Sequence, residues 1–138
     1  TSAEVIATAL KVGPILTTEA LGQAVRSAIL AARPATPRPE VETSIRRTFQ
    51  ALRIAVNDEF SALDAFLRNL PECVAPGGRI AVLTFHSGED RRVKQAFKAG
   101  VEAGVYSTIA DDVERAGPDE RRSNPRASSA KLRWATRG

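Results

Sequence analysis

The chain has 138 residues, a formal net charge of +4, and 43% hydrophobic against 26% charged residues, the balance of one globular domain at most. Its apolar runs fall far short of the roughly 20 residues a membrane helix needs, and no charged start followed by an apolar stretch marks a signal peptide. The lone Cys73 and lone His86 exclude an internal disulfide, a Cys-based zinc cluster and a His-only metal site, and the cysteine usage points to a reducing compartment, the cytosol or the interior of an organelle.

The chain opens on Thr1 rather than Met, at the edge of an expected helix over Ala3–Leu10, as a processed product or a fragment would. Gly13 and Pro14 end that helix, and Thr17 or Thr18 can cap a second one carrying Leu21, Val25, Ala28, Ile29 and Ala32 at helical spacing. Pro34, Pro37 and Pro39 read as a stiff non-helical linker. From Ile45 the apolar residues Phe49, Leu52, Val56, Phe60, Leu63, Leu67 and Leu70 recur every three or four positions, which predicts one long helix or two in line with a break near Asn57–Asp58. Pro76-Gly77-Gly78 is a turn. Residues 79–85 form an apolar run of strand length without clean alternation, which predicts a strand covered on both faces. Helix is expected again from Ser87 to about Lys98, loop with room for one turn of helix from Gly100 to Pro118, and a last strand over 130–135. In that strand Leu132 and Trp134 should face in, with Lys131 and Arg133 facing out. Two strands do not make a self-sufficient sheet, so the sheet is expected to be completed by a partner chain or by a segment outside these residues.

Three segments carry chemistry. Phe85-His86-Ser87-Gly88-Glu89-Asp90-Arg91 stands where a strand ends and a helix begins, the usual place for ligand groups in open α/β sheets. Ser87 as a cap and Asp90 as its box partner explain half of it; His86 and Arg91 are left over. A Ser-His-Asp hydrolase is compatible with a single His after a strand, as is a hydrogen-bonding spacer. On the long helix, Arg46, Gln50, Arg53 and Asn57 form one polar stripe that suits phosphates and bases, although on these residues alone an ordinary solvent-facing stripe is the favoured reading. Asn124 to Arg133 is a turn feeding a basic strand, read either as an edge strand guarded by charge or as an RNA backbone contact. Residues 121–138 hold six bases (Arg121, Arg122, Arg126, Lys131, Arg133 and Arg137) and no acid, beside an acidic stretch at 111–120. That distribution is compatible with a phosphate-rich partner. Gly77-Gly78 precedes its strand, whereas a nucleotide-binding glycine loop follows one.

Taken together, RTFQALRIAVNDEF (Arg47–Phe60), APGGRIAVLTFHSGEDRRVKQAF (Ala75–Phe97) and NPRASSAKLR (Asn124–Arg133) resemble, in order, the C-terminal half of the MraW-type (RsmH) family. These are S-adenosylmethionine-dependent methyltransferases acting on cytosine N4 of small-subunit rRNA. PILTTEALGQAVRSAI (Pro14–Ile29) is similar to part of that family's inserted helical domain. The sequence departs from the family at Gly88, where a bulky apolar residue is usual, at Thr43-Ser44-Ile45, where His-Pro usually stands nearby, and at Ser128, commonly Arg.

The resemblance implies an α/β fold: the C-terminal part of a Rossmann-like class I methyltransferase sheet over 46–138, incomplete in this chain, and part of the inserted helical domain over 1–45. It implies His86 and Ser87 as residues bordering the target base. Arg47, Arg53, Arg91, Arg126, Lys131 and Arg133 are the implied RNA-phosphate contacts. The implied partner is small-subunit rRNA or a ribosomal particle, with no membrane and no metal. S-adenosylmethionine is the family's cofactor, but its glycine-rich loop, acidic ribose ligand and Asp-Leu-Gly-Val-Ser-Ser-type segment are not among these residues. The chain alone is therefore not expected to bind it. A non-catalytic remnant serving as an rRNA-binding or assembly protein is the alternative, and a stand-alone helical interaction module a third reading.

Overall fold

The computed structural model describes residues 2–138. They form two compact units, one ending at Asp58 and one spanning Glu59–Gly138.

The first unit is three helices: α1 (Ser2–Leu10), α2 (Thr18–Ala32) and α3 (Arg38–Asn57). Thr17 supplies the N-cap of α2, its hydroxyl accepting from the Ala20 amide at 3.1 Å, so one orphan donor of the first turn is satisfied. Ile6, Val25, Ile29 and Val41 make the core, flanked by Leu10, Leu21, Leu30 and Ile45. Each such side chain contributes about 1.5–3 kcal/mol by leaving water. The expected linker is shorter than its prolines suggest. Pro39 lies in the first turn of α3, where a missing N–H costs nothing and the fixed φ favours the helix.

α3 ends at Asn57 and α4 (Glu59–Asn69) follows at once, with Asp58 between them in the left-handed region (φ 49°, ψ 40°). The long periodic segment is therefore two helices, divided where Asn-Asp interrupts the apolar series. Asp is among the few residues that enter this region at modest cost.

In the second unit α4 runs through a 3₁₀ turn, Leu70–Cys73, to β1 (Arg79–Thr84), then α5 (Ser87–Glu102), β2 (Tyr106–Ile109), the short helix α6 (Pro118–Ser123), a 3₁₀ turn at Pro125–Ser129, and β3 (Lys131–Arg137). The sheet order is β1-β3-β2, and β3 is antiparallel to both neighbours. β1 and β2 are thus parallel, with the last strand slotted between them in reverse. The two apolar runs expected as strands pair with each other, Ala81 opposite Trp134 and Leu83 opposite Leu132.

β2 is a correction: Gly100–Pro118 is not simply loop. α5 persists to Glu102, Gly104 (φ 72°) turns the chain, and Tyr106–Ile109 pairs with β3. A four-residue strand gains its stability from a partner remote in sequence, so local pattern alone did not mark it. The core joins Leu67 of α4, Val93 and Phe97 of α5, Ile80, Tyr106 and Ala135. Phe97 meets Tyr106 edge-on at 5.4 Å.

Two expectations about the faces are overturned. β1 is covered on one face only: Ile80 and Thr84 are buried, while Leu83 is 54% exposed. The orientation of β3 is also reversed. Arg133 and Ala135 are buried on the covered face, and Trp134 stands on the open one, 37% exposed. Alternation fixes which residues share a face. It does not say which face is covered, and here an acid on α5 makes the charged face the inner one.

Candidate functional site

The carboxyl end of β1 and the start of α5 are organised around His86. It is His86, not Ser87, that caps α5, and Glu89, not Asp90, that closes the capping box. The His86 Nδ1 accepts from the Glu89 amide at 3.4 Å, and Glu89 Oε2 accepts from the amides of Phe85 at 3.1 Å and His86 at 3.4 Å. A ring nitrogen does here what a hydroxyl usually does. Ser87, one residue later, is exposed in the first turn.

The accepting Nδ1 assigns the proton of the neutral ring to Nε2. That nitrogen is enclosed and lies 3.0 Å from Glu89 Oε1, at an angle short of a hydrogen bond. The Phe60 ring stands 5.9 Å from the imidazole, and Arg92 lies over Phe60 at 4.3 Å while pairing with Asp64 at 2.5 Å. Glu59, His86 and Glu89 each offer a ligand atom within 4.8 Å of the others. His86 and Glu89 already serve the capping box, and Glu59 stands beside them.

Asp90, freed from capping, takes Arg133: Nε to Oδ1 at 2.7 Å and Nη2 to Oδ2 at 3.4 Å, with side chains only 8% and 16% exposed. Burial pushes the Asp90 carboxyl up, but the Arg133 hydrogen bond and charge, helped by Lys131 and Arg115, outweigh it and hold the pKa below the ordinary 3.8.

The other expected phosphate contacts are scattered. Arg91 is exposed on α5, Arg126 is exposed on the 3₁₀ turn before β3, and Lys131 is half-buried at the start of β3. Arg47 and Arg53 are exposed on α3, in the other unit. Arg133 is turned inward. The structure therefore brings His86, Ser87, Arg91, Arg126 and Lys131 into one unit and leaves Arg47 and Arg53 in the other.

Sequence reasoning missed a cavity of about 540 Å³ in the second unit, lined in part by Leu83, Phe85, Leu132, Asn124 and Arg126. Glu114 helps wall it. Its backbone bridges Leu132 at 2.9 Å in both directions, and its carboxylate accepts from Trp134 Nε1 at 2.8 Å. The signal that could have found it is Phe85, an aromatic at a strand end followed by no apolar side chain until Val93.

The chain matches the MraW methylase family over residues 1–138. It is 55% identical over 95 residues to ribosomal RNA small subunit methyltransferase H 1 of Lachnoclostridium phytofermentans, covering 69% of this chain and 26% of that protein. It is 49% identical over 121 residues to ribosomal RNA small subunit methyltransferase H 2 of Alkaliphilus metalliredigens, covering 88% and 35%. With ribosomal RNA small subunit methyltransferase H of Gloeobacter violaceus it shares 46% over 126 residues, 90% and 36% of the two chains. The chain thus spans between a quarter and two fifths of the length of these relatives.

Proposed function

This chain belongs to the MraW methylase family, and on that premise we propose that it is the RNA-facing, C-terminal part of an S-adenosylmethionine-dependent methyltransferase acting on cytosine N4 of small-subunit rRNA. The observation that carries the reading is the end of β1. There the family's Phe-His-Ser motif closes a strand and opens a helix, the position at which open α/β sheets hold their ligands. The reversed β3 between parallel β1 and β2 is consistent with the terminal strands of a Rossmann-like sheet whose remaining strands lie in another segment. Residues 1–45 would belong to the inserted helical domain and 46–138 to the methyltransferase domain.

Within such an enzyme the cytosine N4 amine is a weak nucleophile, its lone pair drawn into the ring. Catalysis then consists of holding that amine in line with the methyl donor and offering an acceptor to its N–H. His86 and Ser87 border that position. Arg91, Arg126 and Lys131 of this unit, with Arg47 and Arg53 of the first, would take RNA phosphates. The cofactor supplies an activated methyl group, but the described residues do not fit it. The positive-φ glycines, Gly77 and Gly104, precede β1 and β2, whereas a phosphate- or ribose-cradling glycine loop follows a strand. The cofactor is assigned to residues outside this chain.

The test is a methyl-transfer assay on small-subunit rRNA with the protein at its full natural length, read by nucleoside mass spectrometry. N4-methylcytidine is the expected product. For these 138 residues alone, titration calorimetry with S-adenosylmethionine should show no micromolar binding. Tight binding would place the cofactor site in this chain and overturn the division of labour.

A further inference from the structure

The cavity at the end of β1 has a composition that the capping network and the Asp90–Arg133 pair leave unused. Leu83 and Leu132 face each other across the β1–β3 ladder and give it an apolar floor. Phe85 adds an aromatic ring that is 54% exposed. On the same cavity stand Asn124, Glu120 and Arg126, which offer an amide, a carboxylate and a guanidinium. Arg126 has no side-chain partner among the described residues, and with Arg115 it sets two guanidinium groups against the carboxylates of Glu114 and Glu120 on the cavity wall. A volume of about 540 Å³ lies within the roughly 300–1,000 Å³ of small-ligand clefts.

We propose that this cavity receives one unstacked nucleotide of RNA, its base against the Phe85 ring and its phosphate at Arg126. The proposal rests on the RNA-methyltransferase reading above and adds to it a named subsite. Single-stranded RNA is gripped by aromatic faces that take a splayed base, with cations following the backbone. Phe85, half in water at the end of a rigid strand, is such a face. The residues that follow it, His86 and Ser87, lead from this subsite toward the position of the target base. An apolar, aromatic-floored cleft would also suit the adenine ring of a free adenosyl compound, so the shared chemistry is a stacked nucleobase.

The experiment is fluorescence anisotropy of a labelled single-stranded fragment of small-subunit rRNA, with the protein at its full natural length, across a salt series. Phe85→Leu keeps apolar volume and removes the π-face; it should weaken binding about tenfold with the salt slope unchanged, and Phe85→Trp should restore it. Arg126→Ala should weaken binding and lower the salt slope by about one unit. S-adenosylmethionine and S-adenosylhomocysteine at millimolar concentration should leave the anisotropy as it was. Circular dichroism melts of each variant should match the parent, because both side chains are exposed. If the parent binds RNA and Phe85→Leu binds equally well, the subsite is overturned and the RNA reading stands. If adenosyl compounds displace the RNA in the parent but not in Phe85→Leu, the cavity takes a cofactor and the assignment to RNA falls. If the parent binds no RNA at any salt, both readings fail together.

Discussion

His86 is a residue whose bland role and functional role occupy the same atoms. Its Nδ1 is committed to the Glu89 amide, so losing the side chain costs the start of α5 as well as any contact with a base. His86→Ala should destabilise the protein by about 1 kcal/mol, whereas His86→Asn, an equally good cap, should be close to neutral. Ser87→Ala should also be near neutral, since Ser87 caps nothing. Urea denaturation separates these outcomes, and an Asn variant that is stable yet inactive would assign the imidazole to the reaction rather than to the cap. The neighbouring Asp90–Arg133 pair behaves differently because it is buried. Arg133→Ala leaves a carboxylate enclosed without its cation and should cost about 3–5 kcal/mol. The pH dependence follows from the depressed Asp90 pKa. The unfolded chain binds this proton more readily, so the pair's contribution is full above the ordinary 3.8 and is lost as pH falls through the lower folded value. In denaturation measured from pH 6 downward, Asp90→Asn should show a shallower loss below about pH 4 than the parent.

Among the elements, the packing of α4 on α5 turns on a glycine. A Cβ at Gly88 would lie 2.8 Å from Phe60 Cζ and 3.3 Å from the His86 ring, so the Phe60 ring occupies the space that a side chain at 88 would fill. Gly88→Leu should therefore destabilise, and Phe60→Leu with Gly88→Leu should recover much of the loss. A favourable coupling of about 1 kcal/mol is expected in a double-mutant cycle, the usual scale for residues in contact; strict additivity would show that the two do not share the space. Such features mark the limit of what the sequence discloses. Helical period located α2, α3 and α4, and the Asn57–Asp58 interruption marked where the long segment divides, because apolar stripes and breakers are local signals. The capping box was displaced by one residue because His is a rare cap. The inward turn of Arg133 depends on Asp90, 43 positions away in sequence, and the cavity beside Phe85 needs α6 and β3 folded against β1. Neither leaves a mark in any short window.

At the scale of the whole molecule, composition overstates the positive surface, and the structure says by how much. Of the six bases in residues 121–138, Arg133 is buried against Asp90 and Arg137 donates to the carbonyls of Val105, Gly138 and Pro71. Arg122 pairs with Asp119 at 2.5 Å in solvent, an exposed pair of the kind worth little that a phosphate can displace. Among the described residues, the tail bases whose side chains have no hydrogen bond or ion pair are Arg121, Arg126 and Lys131, to which Arg91 on α5 and Arg47 on α3 add two more. Counterion release scales with phosphates neutralised, at about −0.7 in log–log slope per contact on a single strand. A footprint drawn from these five cations should give a slope of about −3 to −4, where engagement of all six tail bases together with Arg47, Arg53 and Arg91 would give about −6. Lys131→Ala and Arg121→Ala should each flatten the slope by just under one unit while sparing the melting temperature. Arg133→Ala should lower the melting temperature and leave the slope of the protein that remains folded unchanged. Filter binding between about 50 and 200 mM salt distinguishes the two cases, and a slope near −6 would mean that RNA binding opens the Asp90–Arg133 pair.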